Sequence, residues 1–474
     1  MIFTSFAFLI FAAIFLPVFF LMRGWAQRAV TLFASYFFYG WWDWRFMFLL
    51  ATSTVVDYTL GRLIGASESE KRRRVLVGLS VAANLSYLGF FKYCDFFEAS
   101  LAGLLQRFGM QSDWATLHIV LPAGISFYTF QSMSYTIDVY RRRIAPERDF
   151  LTFATFISLF PQLVAGPIVR ARWLLPQIAR TQHFRWANIF LGLELAITGY
   201  FLKMVIADNL APYVTAMFGL PYAYGALALL VSVIFFAFQI YGDFAGYSLI
   251  AIGLARMMGY KFPANFRRPY FAASFSEFWT RWHISLSSWL RDYLYIALGG
   301  NRRGTAKTYR NLMTTMLLGG LWHGANWTFV IWGGLHGLYL VLQRLAVALF
   351  PTVHAPRIPA IVRRIPAIFL VFALVSVGWV FFRASDFGAA ITILERIATA
   401  GDWSFGALPF KFTVVKGLLL ILLLVGAETF AESARFAAFW RRQRWGRTGV
   451  VLSMLWMIPL FAAFSGATFI YFRF

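Results

Sequence analysis

The residues best suited to chemistry in this sequence are histidines set among apolar and aromatic side chains. His323 lies in the apolar stretch 311–340, where neighbouring glycines and Asn326 favour a broken helix. An ionisable residue in such a stretch is costly and is a functional candidate by default. A neutral imidazole can remove a proton from a hydroxyl near neutral pH. His323 is therefore a candidate general base, and its position alone is equally compatible with a histidine that hydrogen-bonds between helices.

Two further histidines lie close to this stretch in the sequence. His283 belongs to the amphipathic, aromatic-rich segment 276–303, where packing against tryptophans is the competing interpretation. His336 is predicted to be a packing residue, because Gly333 and Gly337 have the small-xxx-small spacing that lets helices approach closely.

Other familiar chemistries have no matching motif. The sequence contains no HExxH and no CxxC, so the usual zinc ligands are missing. The glycine-rich run 299–304 lacks the GK[ST] of a phosphate loop, and GxSxG is absent. Four aspartates within or near apolar runs form no obvious proton relay, and basic residues such as Arg141 or Lys203 could pair with them; they are Asp57, Asp138, Asp208 and Asp243.

The composition decides what kind of elements must position these histidines. Of 474 residues, 60% are hydrophobic and only 13% are charged, whereas a soluble domain has about 25% charged residues. This excludes a soluble globular protein, a disordered chain and a coiled coil. The net charge of +23 would suggest nucleic acid on a soluble protein. Here the basic residues lie between apolar runs, so we expect a lipid bilayer and no nucleic-acid partner.

We therefore predict an all-α, polytopic membrane protein with roughly 10–12 transmembrane helices plus re-entrant or interfacial helices. Spanning helices need about 20 apolar residues, and the candidates are roughly 3–22, 29–42, 46–65, 75–92, 118–140, 186–206, 225–256, 365–384, 412–430 and 449–472. The interrupted stretch 150–168 is expected to dip in without crossing, and 311–349 to return to its starting side. Basic loops face the cytoplasm, which places both termini outside the cytoplasm.

The domain prediction is simple, because no repeat or linker divides the chain. Residues 1–474 are expected to form a single membrane-embedded domain, with a core of interfacial and broken helices at 260–349 and a last helix at 449–474.

Several long motifs resemble the membrane-bound O-acyltransferase (MBOAT) superfamily. They are FWTRWHISLSSWLRDYLYIALGGNRRG at 278–304 and LLGGLWHGANWTFVIWGGLHG at 317–337. Three others are similar to the bacterial branch that includes the alginate O-acetylation membrane protein: LPAGISFYTFQSMSYTIDVYR, FPQLVAGPIVRAR and QIYGDFAGYSLIAIGLARMMGYKFPANF. The similarity covers nearly the whole chain.

The resemblance implies a fold and an activity. It implies helices around a central catalytic funnel, with His323 as the catalytic histidine and His283 as the second family histidine. The family moves an acyl group from a cytoplasmic thioester to a hydroxyl across the membrane. No bound cofactor is expected; the donor would be acetyl-CoA or an acyl carrier protein, and the acceptor a polysaccharide such as alginate outside the inner membrane.

Further site residues follow from the same resemblance and from charge. The closing FIYFRF looks like a fused tyrosine motif, which makes Tyr471 a candidate acyl relay to a periplasmic or membrane-anchored O-acetyltransferase partner; an interfacial aromatic residue is the alternative. The candidates to stabilise an oxyanion are Trp322, Asn326 and backbone N–H groups at the broken helix. Four arginines are candidates to attract an anionic donor, although cytoplasmic loops are basic in any case: Arg281, Arg291, Arg302 and Arg303.

Three alternative functions stay open at this point. Two are enzymatic, namely peptidoglycan O-acetylation and D-alanyl transfer to teichoic acid. The third is a polysaccharide transporter or channel, a class that often shows two related halves with broken helices in matching positions. This sequence has one such broken region, near 311–335.

Overall fold

The computed structural model describes residues 1–110, 117, 119–349, 360–399, 401–463 and 470. Within these ranges the regular structure is helical, without β-strands, as predicted. The physical reason is that lipid offers no partners for backbone N–H and C=O groups, so an apolar chain must satisfy them within its own helices.

Seven helices of the described chain are long and apolar enough to cross a membrane. They are Arg45–Ala66, Glu70–Arg107, Trp186–Gly219, Ala226–Met257, Trp327–Leu349, Arg364–Arg383 and Lys411–Glu432. Two shorter apolar helices, Phe6–Leu21 and Trp445–Phe461, correspond to the first and last predicted spans. The last helix is shorter than predicted, because the backbone becomes extended at Ala462, well before residue 472. The remaining predicted spans, 29–42 and 118–140, correspond to helices Gly24–Gly40 and Ile125–Tyr140, of 17 and 16 residues.

Both interrupted stretches contain the expected breaks. The first forms helix Phe150–Ser158 and a single turn at Phe160–Leu163. At about 1.5 Å per residue, neither piece spans a hydrocarbon core of about 30 Å. The second forms two full helices, Thr305–His323 and Trp327–Leu349, which we call the histidine hairpin.

Glycines hold the two helices of the histidine hairpin together. A Cβ added at Gly320 would lie 2.2 Å from the carbonyl oxygen of Phe329, and one at Gly333 would lie 2.2 Å from that of Met316. Because these contacts pair later residues of one helix with earlier residues of the other, the helices run antiparallel. The two outer ends of the hairpin therefore lie at the same end of the helix pair, and the return of 311–349 to its starting side of the membrane stays a prediction.

Contacts between residues divide the chain into two compact units. The first comprises Met1–Ala196 and Ile250–Pro263, and the second comprises Ile197–Leu249 and Ala264–Phe474. In the first unit the buried Asp57 carboxylate accepts hydrogen bonds from Ser80 (2.6 Å) and Asn84 (2.8 Å). The second unit contains the histidine hairpin and His283. The single domain expected from the sequence stays a prediction.

Candidate active site

His323 is the last residue of the first hairpin helix and is buried. The helix ends there because Gly324 adopts an extended conformation, with φ −163° and ψ 152°. A Cβ at Gly324 would lie 2.1 Å from the ring of Phe329, so only glycine fits this turn. Asn326 then starts the second helix by accepting a hydrogen bond from the Thr328 N–H (3.0 Å). The broken helix predicted around His323 is therefore a tight turn between two helices.

Aromatic rings surround the His323 imidazole. Its centroid lies 5.0 Å from Trp322, 4.9 Å from Trp332 and 5.4 Å from Phe382, each in an edge-to-face arrangement. Such packing restricts the imidazole orientation and keeps bulk water away, which strengthens electrostatic interactions at the ring. The side chain is therefore held in a low-dielectric site.

His283 is held by an unusual local backbone and by one buried amide. It lies between helices Phe275–Arg281 and Ile284–Trp289 with left-handed φ 41° and ψ 54°. Such a conformation costs a β-carbon residue about 1–2 kcal/mol, and strain of this kind clusters at functional sites. Asn265 Oδ1 contacts His283 Nδ1 at 3.2 Å and accepts from the Ser285 N–H at 3.2 Å.

These contacts determine the tautomer of His283. A backbone N–H can only donate, so the Asn265 atom facing Ser285 is the amide oxygen. His283 Nδ1 must then carry the proton that this oxygen accepts, which leaves the lone pair on Nε2. Burial lowers the pKa of His283 to about 3, because desolvation disfavours the imidazolium. The side chain is therefore neutral at physiological pH.

The structure brings the two predicted histidines together. Their ring centroids are 6.4 Å apart, and Trp322 lies 5.9 Å from His283. Phe244 packs edge-to-face on His283 at 4.6 Å. At this separation one reacting group can lie within hydrogen-bond reach of both imidazoles, a distance of about 2.6–3.2 Å. The arrangement suits proton transfer to or from a hydroxyl in a water-poor site.

The two side chains among the oxyanion candidates differ in placement. Trp322 lies against both histidines. Both ends of the Asn326 amide have structural hydrogen bonds. Its Nδ2 donates to the Ser385 carbonyl (3.2 Å), and its Oδ1 caps the second hairpin helix. Of the two, only Trp322 has a described contact with both imidazoles.

The four candidate donor-binding arginines fall into two groups, one within an ion-pair network and one exposed. Arg281 donates to Glu277 and Glu432, both at 2.8 Å. These ion pairs hold its pKa above the ordinary arginine value, against the opposing effect of burial. Arg268 and Arg364 join the same two glutamates. Arg281 therefore lies within an ion-pair network, and its role in donor binding stays a prediction.

The other three arginines are exposed. Arg291 contacts the neighbouring Asp292 at 2.9 Å, and Arg302 and Arg303 lie in the turn before helix Thr305–His323. Their exposure leaves them accessible to an anionic partner, and their role also stays a prediction. Tyr471 lies outside the described residues.

His336 packs as expected. Its ring is buried among Phe278, Trp279 and Trp332, with centroids 4.8–5.9 Å away. A Cβ on neighbouring Gly337 would lie 2.9 Å from the Met313 sulfur, so this glycine permits the close helix approach. Across the described residues, no group of three or more His, Cys, Asp or Glu side chains could hold a metal ion.

Two features of this unit have no signal, or only a partial one, in the sequence. Asn265 was not singled out, although it lies in the FPANF stretch of a recognised motif. A single amide next to proline gives little signal in a sequence. The pairing suggested for Lys203 is present, because its Nζ lies 2.7 Å from both Asp208 and Asp243.

Fold and site together define a helical, multi-pass membrane protein with two neighbouring buried histidines. The model of the membrane-bound O-acyltransferase family matches residues 141–378. The chain belongs to this family and is an O-acyltransferase.

Similar proteins with curated names indicate which branch of the family this chain resembles. The chain is 44% identical to the probable alginate O-acetylase AlgI of Azotobacter vinelandii, over 86% of this chain and 80% of the relative. It is also 44% identical to the protein of the same name from Pseudomonas aeruginosa, over 86% and 77%. The peptidoglycan O-acetyltransferase of Helicobacter pylori is 36% identical, over 81% and 78%. Membership of an acyltransferase family argues against the transporter alternative.

Proposed function

We propose that this protein takes an acetyl group from a cytoplasmic thioester and passes it across the inner membrane for O-acetylation of an exopolysaccharide such as alginate. The observation that carries the proposal is the pair of buried imidazoles with centroids 6.4 Å apart. Its support from relatives is the 44% identity to probable alginate O-acetylases. The donor is acetyl-CoA or an acyl carrier protein, and the acceptor side includes a periplasmic or membrane-anchored transferase.

His323 acts as the general base in this mechanism. It takes the proton of the incoming hydroxyl as the oxygen bonds to the acyl carbon, and the carbon–sulfur bond then breaks. The proton passes to the departing thiolate, so the base is regenerated. The neutral His283 carries its lone pair on Nε2 and orients the reacting group, and Trp322 stabilises the oxyanion.

Tyr471 serves as the first acceptor in the proposed reaction. Its phenolic oxygen receives the acetyl group as an ester, which a second transfer then delivers to the polymer hydroxyl. Tyr471→Phe removes this oxygen and leaves the ring, so acetylation should stop while thioester binding remains. A fully active Tyr471→Phe variant would reduce this residue to an interfacial aromatic.

The central test is His323→Ala, with His183→Ala as the control because His183 is an exposed histidine. Loss of a general base lowers the rate by about 10²–10⁴. We expect polymer acetylation to disappear with His323→Ala and to persist with His183→Ala, at equal levels of protein in the membrane. Acetylation at the wild-type level in His323→Ala would rule out this residue as the base.

Peptidoglycan is the second candidate acceptor, because the Helicobacter pylori relative is a peptidoglycan O-acetyltransferase. Acetyl content of purified exopolysaccharide and of peptidoglycan, measured in strains with and without the gene, separates the two. D-alanyl transfer to teichoic acid predicts D-alanine, and no acetate, on the product.

A further inference from the structure

A buried ion cluster lies next to the candidate site in the second unit. Lys203 Nζ contacts Asp208 Oδ1 and Asp243 Oδ1, each at 2.7 Å, and all three side chains are buried. We call these residues the anchor cluster. Burying three charges is costly, and a buried ion pair often adds no more stability than apolar residues would. Charged groups at membrane depth instead mark functional positions.

Close helix packing builds the anchor cluster. Lys203 lies on the π-helical turn Phe201–Ala207, a feature that is frequent at functional sites. A Cβ at Gly246 would lie 2.6 Å from the Gly199 carbonyl oxygen, and one at Gly242 would lie 3.0 Å from that of Leu202. This small-xxx-small pair lets the two backbones touch and brings Asp243 to Lys203.

The second oxygen of Asp243 binds Ile470 in the C-terminal segment, by which we mean the residues that follow Leu460. Asp243 Oδ2 accepts a hydrogen bond from the backbone N–H of Ile470 at 2.7 Å, and Ile470 is buried. One carboxylate therefore binds Lys203 with one oxygen and the C-terminal segment with the other. Hydrogen bonds to an ionised acceptor are about twice as strong as neutral ones.

Two more hydrogen bonds join the C-terminal segment to the same region. The Phe461 carbonyl accepts from Asn209 Nδ2 at 2.8 Å, and the Ala463 N–H donates to the Met204 carbonyl at 3.2 Å. Both partners flank or belong to the turn that carries Lys203. The segment is thus attached at 461, 463 and 470, and its next residue is Tyr471.

We infer that the anchor cluster is a docking site for the chain's own C-terminal segment, and that Asp243 is a positioning residue for Tyr471. The location fits, because Phe244, next to Asp243 on the same helix, packs on His283. The docking itself rests on the described contacts, whereas its effect on catalysis rests on the proposed relay role of Tyr471.

The test removes the single N–H donor and leaves the cluster intact. Ile470→Pro lacks a backbone N–H, and Ile470→Ala keeps it. Both are made with Cys94→Ser and Phe472→Cys, so that one cysteine reports on the segment. Maleimide labelling of the full-length protein in detergent should be about tenfold faster with Ile470→Pro than with Ile470→Ala, because a released segment opens more often. Equal labelling rates would overturn the docking.

A second pair of variants guards against an effect of proline itself. Asp243→Asn weakens the acceptor, and Asp57→Asn changes a buried carboxylate whose described partners lie in the first unit. Labelling should accelerate in Asp243→Asn and stay at the wild-type rate in Asp57→Asn. Equal rates in Asp243→Asn and wild type would likewise overturn the docking.

Kinetic measurements distinguish the docking of the C-terminal segment from the relay role of Tyr471. Acetyl transfer from acetyl-CoA in membrane vesicles should show kcat lowered by about tenfold or more with KM unchanged in Ile470→Pro, since misplacing a reacting group slows the chemical step. Faster labelling with wild-type kcat would keep the docking and overturn the positioning role, and with it the relay. Unchanged labelling overturns the docking whatever the kcat, and Tyr471→Phe then tests the relay alone.

Discussion

At the residue scale, chemistry in this protein depends on how single side chains are protonated and held. His283 is neutral because it is buried, and its tautomer is set by Asn265. The Nδ2 of Asn265 in turn donates a hydrogen bond to Ser248 Oγ at 3.1 Å. The left-handed backbone at His283 is supported by Asn265, which binds the two residues that follow it. The Asn265 backbone carbonyl accepts from the Ile284 N–H (2.8 Å), and its Oδ1 accepts from the Ser285 N–H (3.2 Å). One buried amide thus orients a ring that lies 18 residues further along the chain.

The lowered pKa of His283 predicts how stability changes with pH. Burial lowers its pKa in the folded protein to about 3, below the ordinary histidine value of 6.5. Between pH 3 and pH 6.5 His283 is protonated in the unfolded chain but not in the folded chain. The free energy of unfolding therefore falls as the pH drops below about 6.5. From pH 7 to pH 5 the loss from this group is about 2 kcal/mol.

Melting temperatures of the wild type and His283→Gln in detergent check this prediction. The variant lacks the titrating group, so the gap between the two proteins should narrow at pH 5 relative to pH 7. A gap that stays constant would show that His283 titrates equally in both states.

At the element scale, the histidine hairpin is the part that presents His323. Its two helices approach closely because Gly320 and Gly333 carry no side chain, and Gly324 makes the turn. Spacing in the sequence suggested close packing around Gly333 and Gly337, and a break near Gly324. The sequence also predicted that 311–349 returns to its starting side, but it did not place His323 at the tip of the turn between the two helices.

Alanine substitutions in the hairpin test this packing. Gly320→Ala would place a methyl group 2.2 Å from a backbone carbonyl, whereas Gly334→Ala meets only the Leu317 side chain, at 3.4 Å. Overpacking costs about 1–3 kcal/mol and shifts His323, so Gly320→Ala should lower both thermal stability and acetylation. Gly334→Ala is the control on the same hairpin and should retain both. Equal behaviour of the two variants would contradict the role of close packing.

At the scale of the whole molecule, the charge of +23 bears on orientation in the membrane. Basic loops stay in the cytoplasm, and placing all the basic clusters there puts both termini outside. The candidate donor-binding arginines at 291, 302 and 303 then face the cytoplasm, where thioester donors are made.

Reporter fusions measure this orientation directly. A fluorescent protein that folds only in the cytoplasm should be bright when inserted after Arg303 and dark after Phe474. Alkaline phosphatase, active only outside the cytoplasm, should give the opposite pattern. The reverse result at both positions would overturn the predicted orientation.

The sequence by itself determined the class of protein and the chemical candidates. Its apolar composition requires membrane helices, and its motifs single out His323 and His283, because these depend on residue type and local spacing. Only the tertiary structure decided which side chains meet: that Arg281 pairs with Glu432, 151 residues away, and that Asp243 binds Ile470, 227 residues away. Such contacts arise from helix packing between distant parts of the chain, so local sequence patterns do not predict them.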